Sequence, residues 1–505
     1  NNASAILAIL KKMEDLTSSY VVDEKIERCK NILMNCLGLN IEVVGKDYSY
    51  IQGESIELMA NAINRSKLKL YLTGISLSSG EEIQLDDTLS YNEMVSEKIV
   101  SGGNTAITNP YWLNHEFKNV FVVSDAKDLG QPESQPSITA SFNFFLNGKH
   151  FDITVPVTYK WRDPSYGERR RPLVSSPLYT ASFDKQQLLI APNKEAIVRL
   201  KIRSFADTLA DFITVKAPKG WLITPSEIKV SAQNLHAEEW LEFAITGAKE
   251  AEEGNLTLSD SKGRVLHSYQ EIAYDHIVTQ AVFKKAKLKC AVLDVKINKG
   301  KIAYITGIAD AVPLAIEQLG FDVDIFSVKD LPTLELSRYQ SVVLGIRIYN
   351  VKPELANFSG RLYRYVENGG NLIMQYNTAS RSLREKKFGP YPFELSRSRV
   401  TEEDSEVTFL APTHPIMTTP NAITQEDFND WVQERGLYFA ANWDEKYTPL
   451  FSWADEGEDP QHGALIVAKH GKGQFIYTGI SFFRELPNGV LGAYRLFANI
   501  LSYQP

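Results

Sequence analysis

The chain has 505 residues, 44% of them hydrophobic and 23% charged, with a formal net charge of −8. This is an ordinary globular composition, with room for roughly three or four domains of ~100–200 residues each. The charge argues against general affinity for nucleic acid or anionic lipid, and no apolar run approaches the ~20 residues of a membrane span.

Residues 1–39 read as a helical hairpin. Ile6, Ile9, Leu10, Met13 and Leu16 fall on one face at helical spacing. Asp23 is the expected N-cap of the second helix, Ile26, Cys29, Leu33, Cys36 and Leu37 its apolar face, and Gly38 its end. Cys29 and Cys36 stand two turns, roughly 10 Å, apart along the axis. That is too far for a disulfide, so both read as buried core thiols. So short a hairpin needs a neighbour to cover its stripes, either the next domain or one upstream. The chain opens at Asn1 with neither Met nor signal peptide, which raises the expectation of a fragment of a longer protein.

Residues 40–172 change to short apolar blocks and period-two runs separated by Gly, Asn and Asp turns. Ile41–Val44, Ser55–Ala60, Leu68–Gly74, Val120–Val123, Ile138–Phe145 and Phe151–Tyr159 predict strands of an immunoglobulin-like β-sandwich. Trp112 and Trp161 sit in aromatic-rich interruptions. Exposed, they could stack on sugar rings; the reading adopted is core or interdomain packing. Arg169, Arg170 and Arg171 read as a solvated turn in a linker rather than an anion site. Residues 173–285 predict a second immunoglobulin-like sandwich, with strands such as Ala196–Ile202, Trp240–Ile245 and Gly254–Leu258. No clustering of His, Asp and Glu marks a catalytic site in it.

Residues 286–505 alternate strand and helix, the pattern of a mostly parallel sheet. Predicted strands include Lys301–Thr306, Val323–Phe326, Ser341–Leu344, Leu372–Met374 and Gly473–Thr478; Val312–Leu319, Ala356–Glu367 and Leu491–Leu501 are the helices. Ligands of such sheets bind at the carboxyl ends of the strands. Asp310, Arg347, Asn350, Gln375 and Asn377 follow those ends, and Arg397, Glu434, Arg435 and Arg484 lie in later loops. Arginine forks and amides suit a carboxylate, phosphate or polyhydroxyl ligand. Two readings stay open: a ligand pocket, or side chains that satisfy loop backbone and tie loops to the sheet. Ser481 lacks the second glycine of a nucleophile elbow, His414 reads as structural, and neither a zinc, Walker nor dinucleotide motif is present. No catalytic residue, metal ligand or cofactor is therefore assigned.

Several pieces carry a resemblance. Pro110-Tyr111-Trp112-Leu113, Asp163-Pro164 with Gly167-Glu168, and Gly369-Gly370 leading to Gln375-Tyr376-Asn377 are three of them. Gly389-Pro390-Tyr391-Pro392, Trp431 through Gly436, and Phe483-Arg484-Glu485-Leu486-Pro487 are the others. Their order resembles the region downstream of the deacetylase domain in large bacterial LmbE/PIG-L family proteins. The last segment resembles a class I glutamine amidotransferase that has lost its cysteine, which implies an α/β amidotransferase-like (flavodoxin-like) domain. The family's zinc motif, AHPDD, is absent from the chain. The resemblance implies a non-catalytic accessory region of an N-acetyl-sugar deacetylase. Docking to the upstream deacetylase domain, homo-oligomerisation or carbohydrate binding would be its work; the compartment stays open, with an extracytoplasmic setting favoured. A hydrolase with its site in the last domain is the alternative.

Overall fold

The computed structural model describes residues 2–103, 106–117, 120–381, 383, 385 and 387–503. The molecule is multidomain and mostly β, with two sandwich-like units ahead of an α/β unit.

Helices Asn2–Glu14 and Tyr20–Leu37 form the N-terminal hairpin. Ser19, not Asp23, is the N-cap of the second: its hydroxyl accepts the N–H of Val22 at 3.4 Å. Asp23 sits one turn inside, where its charge complements the positive helix end. Gly38 ends the helix in the left-handed region, φ 55°. Leu7, Leu10, Leu33 and Leu37 share one core with Leu39, Ile41 and Phe142, so the hairpin packs on the first β unit. Cys29 is buried there, whereas Cys36 is exposed and belongs to no core.

The first β unit hangs on one 15-residue strand, Lys149–Asp163. Its first half pairs antiparallel with Thr139–Leu146; its second half pairs parallel with Leu39–Gly45, Val43 opposite Val157. Leu70–Leu77 and Glu82–Leu89 extend the sheet on one side, Ile56–Asn64 and Met94–Ser101 on the other. Residues 120–123 are not a strand. Their side chains stay on the surface, Val120 at 64% and Phe121 at 58% exposure. The predicted linker turn at Arg169–Arg171 is also corrected: Gly167–Pro172 is a strand paired with Lys149–Asp163.

In the second sandwich, a four-stranded sheet centred on Glu195–Ser204 and Glu238–Gly247 faces a five-stranded one. Lys287–Val292 belongs to the latter, paired with Gln187–Ile190 and Gly254–Ser259, so this sheet runs past residue 285. Two features join the sandwiches. Val174–Ser176 pairs with Ser49–Ile51, and the Asn109 amide exchanges both hydrogen bonds with the backbone of Phe283, at 3.1 and 2.7 Å.

The α/β unit has a parallel sheet in the order Asp322–Phe326, Lys301–Ile305, Ser341–Leu344, Asn371–Gln375, Gly473–Thr478; Leu465–His470 and Thr448–Pro449 follow antiparallel. Alternation along each strand feeds two cores. Ile302, Tyr304 and Val343 face helices Val312–Gln318 and Leu491–Ser502. Ala303, Ile305 and Val342 face helix Ser359–Glu367. The stretch read as one helix from Ala356 is a 3₁₀ segment, Pro353–Phe358, followed by that helix. Leu189, Ala291 and Leu293 of the second sandwich join the first of these cores.

Candidate functional site

The parallel strands deliver their carboxyl ends to one edge of the sheet, and two polar groupings form there. The first is a relay across the sheet. Tyr304 projects from its strand and donates its hydroxyl to Asp310 Oδ2 at 2.7 Å. The Gln375 amide donates to the same hydroxyl at 3.1 Å, and Asp310 Oδ1 accepts the N–H of Val312 at 2.9 Å. Burial pushes the Asp310 carboxyl above its ordinary range, although both donors pull the other way. Tyr304 is a residue that sequence reasoning missed. Its signal was a phenol inside an otherwise apolar strand, since a buried hydroxyl needs a partner.

The second grouping surrounds Tyr376. Arg484 Nε donates to Glu434 Oε1 at 2.7 Å, and its Nη1 donates to Gln433 Oε1 at 2.5 Å. The Tyr376 ring stacks on Tyr438, centroids 6.0 Å apart, and meets Phe483 at 5.0 Å. Burial raises the Tyr376 hydroxyl; the charges of Arg347 and Arg484 oppose that shift and Glu434 adds to it. Arg347, Glu434 and Arg484 thus act electrostatically on one phenol. Arg347 carries φ 54°, and its N–H donates to the Tyr376 carbonyl at 2.8 Å. Asp430, Gln433, Tyr438 and Asn442 also have positive φ. Backbone strain is thus concentrated in the loop beside this grouping, as at many functional sites.

Behind Glu434 lies Glu485, fully buried, with Oε2 accepting the N–H of Val432 at 3.0 Å and Oε1 without a hydrogen-bond partner among the described residues. Desolvation raises its carboxyl to about 8, so it is mostly protonated at neutral pH.

The other expected ligand residues are used internally. Asn377 Oδ1 accepts the Tyr349 N–H at 2.8 Å and its amide donates to the Gln375 carbonyl at 3.1 Å. Asn350 brackets Thr378, donating to its carbonyl and accepting its N–H. Arg435 points the opposite way, donating to the carbonyls of Phe428 and Ser405 with its guanidinium over Trp431. Burial lowers it to about 10. Arg397 is exposed, its Nε donating to the Ala379 carbonyl at 3.4 Å. The edge therefore unites Asp310 with Gln375, and Arg347 with Glu434 and Arg484. Asn350 and Asn377 fasten its backbone, and Arg435 fastens a neighbouring loop.

No family model matches this chain, and no curated protein matches it. Solved structures resemble parts of it. A type I cohesin–dockerin complex from Clostridium thermocellum covers 23% of this chain and 98% of its own, with 9% identity and a TM-score of 0.13. Native E. coli alpha-2-macroglobulin covers 50% of this chain, which spans 17% of that protein, with 11% identity and a TM-score of 0.17. A family 123 glycoside hydrolase from Clostridium perfringens covers 39% of this chain and 38% of its own, with 8% identity and a TM-score of 0.12. Likenesses this weak define neither fold nor function.

Proposed function

We propose that this chain is the non-catalytic accessory region of a larger LmbE/PIG-L-like N-acetyl-sugar deacetylase, docking the deacetylase domain and holding glycan near it. The α/β unit is then an amidotransferase-like scaffold without the cysteine. The observation that carries the docking reading is at the N-terminal hairpin. Its inner face packs on the first β unit, while Ile9, Leu16, Tyr20, Val21 and Ile32 remain exposed on the hairpin. Apolar side chains gathered on one small element are what a neighbouring domain would cover. The internal use of Asn350, Asn377 and Arg435 fits a scaffold as well.

One observation favours the alternative, a hydrolase in the α/β unit. Glu485 is a buried carboxyl raised to about 8, beside a charged, strained loop, and general acids are tuned in this way. Acetate release separates the two readings. The purified chain is expected to release none from N-acetylated sugars. Turnover that survives re-purification and disappears in Arg347→Ala or Glu434→Ala would replace the accessory reading with the hydrolase. A full reading frame with an AHPDD-type domain upstream would identify the docking partner.

A further inference from the structure

Away from the strand ends, the two sandwiches enclose a cleft of about 900 Å³. That is the size of small-ligand sites generally. One wall is the strand pair of the first unit, with Trp161, Arg169, Arg170 and Arg171; Trp112 lies beside it. The other wall is the hairpin of the second sandwich, His267–Ile272 and Gln280–Lys285, with the connection at 273–279.

Its chemistry is specific. Trp161 is half-buried and stacked on Tyr159, centroids 5.7 Å apart with planes 15° from parallel, so its ring is held rather than free. Tyr274 is 63% exposed on the connecting loop and packs against His276 at 5.8 Å. The polar groups are planar and paired, one pair buried on the arginine side and the other open to solvent. Arg171 Nη1 donates to Glu271 Oε2 at 3.0 Å, and Arg169 Nη1 donates to Asp275 Oδ1 at 3.3 Å. Arg171 is 9% exposed, and its Nε and Nη2 have no hydrogen-bond partner among the described residues.

Charge decides the ligand class. Three guanidiniums line the cleft against three carboxylates, Glu133, Glu271 and Asp275. There is no net positive field to select an anion. Aromatic faces beside planar donors and acceptors suit a ligand with apolar C–H faces and a rim of hydroxyls that both donate and accept. We propose that this cleft binds a neutral pyranose oligosaccharide, one ring stacked on Trp161 and its hydroxyls bonded to the Arg169–Asp275 and Arg171–Glu271 pairs. The proposal rests on the glycan arm of the accessory reading, and its loss leaves the docking arm in place.

The test is titration of the whole chain with N-acetylchitotetraose, cellotetraose and, as the acidic control, tetragalacturonate, followed by tryptophan fluorescence and calorimetry. At least one neutral tetrasaccharide is expected to bind. Trp161→Ala should weaken it at least tenfold and Tyr274→Ala several-fold. Trp240→Ala, an exposed tryptophan of the second sandwich outside the cleft lining, should leave affinity unchanged. If circular dichroism shows that Trp161→Ala does not fold, Tyr274→Ala and Arg169→Ala decide. No neutral binding at millimolar sugar, a preference for tetragalacturonate, or full affinity in the cleft variants would overturn the proposal. Acetate release reports on the accessory reading separately, so the two can fail independently.

Discussion

The Arg171 guanidinium lies 4.0 Å from the ring centroid of Tyr48 and, through Nη1, 3.0 Å from the Glu271 carboxylate. One cation is thus held between an aromatic face of the first sandwich and an acid of the second. Tyr48 is itself stacked on His236 of the second sandwich at 4.7 Å and accepts from Arg203 Nη2 at 2.8 Å. The two units are joined by charge and ring contacts as well as by paired strands.

Arg171→Ala is therefore expected to destabilise the chain by about 2–3 kcal/mol, below the range for a fully buried pair because Glu271 is partly exposed. Arg171→Lys should recover only part of this, since it keeps the charge but loses the planar face. Urea unfolding monitored by fluorescence measures both. Wild-type midpoints in both variants would show that Arg171 does not join the units.

The Glu485 carboxyl is raised from 4.5 to about 8. Between these values the folded state holds a proton that the unfolded state has released. Stability therefore falls as pH rises through that window and levels off above it. Glu485→Gln keeps an acceptor for Val432 and removes the ionisation. Its stability should vary less between pH 5 and 9, with a gain of ~3 kcal/mol over wild type at pH 9. Parallel melting curves for both proteins across that range would refute it.

At the strand ends, Asn377→Ala removes the acceptor of the Tyr349 N–H and the donor to the Gln375 carbonyl. Buried backbone groups left unsatisfied cost ~1–3 kcal/mol each. A loss of about 3 kcal/mol is expected in thermal or urea melts. A neutral result, combined with impaired sugar binding, would return Asn377 to the list of ligand residues.

Gly473 and Gly370 approach back to back. A Cβ on Gly473 would sit 2.2 Å from the Gly370 carbonyl oxygen and 2.3 Å from that of Val366. Gly473→Ala should cost several kcal/mol, at the severe end of point mutations. Gly457→Ala meets no atom of the described residues within 4 Å and bears only the strain of φ 79°, about 1 kcal/mol. Comparing soluble yield and melting temperature of the two distinguishes steric exclusion from a general intolerance of glycine replacement.

Zinc is expected to be absent from the purified chain on elemental analysis. Among the described residues no group of three His, Cys, Asp or Glu side chains is placed to hold a metal ion. One tightly held zinc per chain would contradict this.

Sequence periodicity located the strands that lie deep in a core. Ser341–Leu344 and Gly473–Thr478 were legible to the residue because every side chain is buried and the runs are sharply bounded. Glu82–Leu89 was not, because its alternate positions Glu82, Gln84, Asp86 and Thr88 are solvated, and Met94–Ser101 was not, because Met94 and Val100 are exposed while Ser101 is buried, which blurs the alternation. The placement of Gln375 and Asn377 was readable from the strand–helix alternation, since both stand at the carboxyl end of Asn371–Gln375. Their roles were not. Whether an amide bonds a ligand or a loop depends on partners such as Tyr304 and Tyr349, set by tertiary packing. The Arg171–Glu271 pair spans 100 residues of sequence, and no local pattern announces such a pair; it turned an apparent solvated turn into a wall of the cleft.

Gln187 reaches across 307 residues to donate to the Tyr494 hydroxyl, and Leu189, Ala291 and Leu293 share their core with helix Leu491–Ser502. During synthesis this apolar face leaves the ribosome roughly 200 residues before the helix that covers it. At translation rates of about 5–20 residues per second it waits on the order of 10–40 s. The second sandwich can close its own interior in that time, but its outer face stays sticky until the last segment arrives. Nascent chains paused or truncated within the α/β segment are where chaperone capture and aggregation should concentrate.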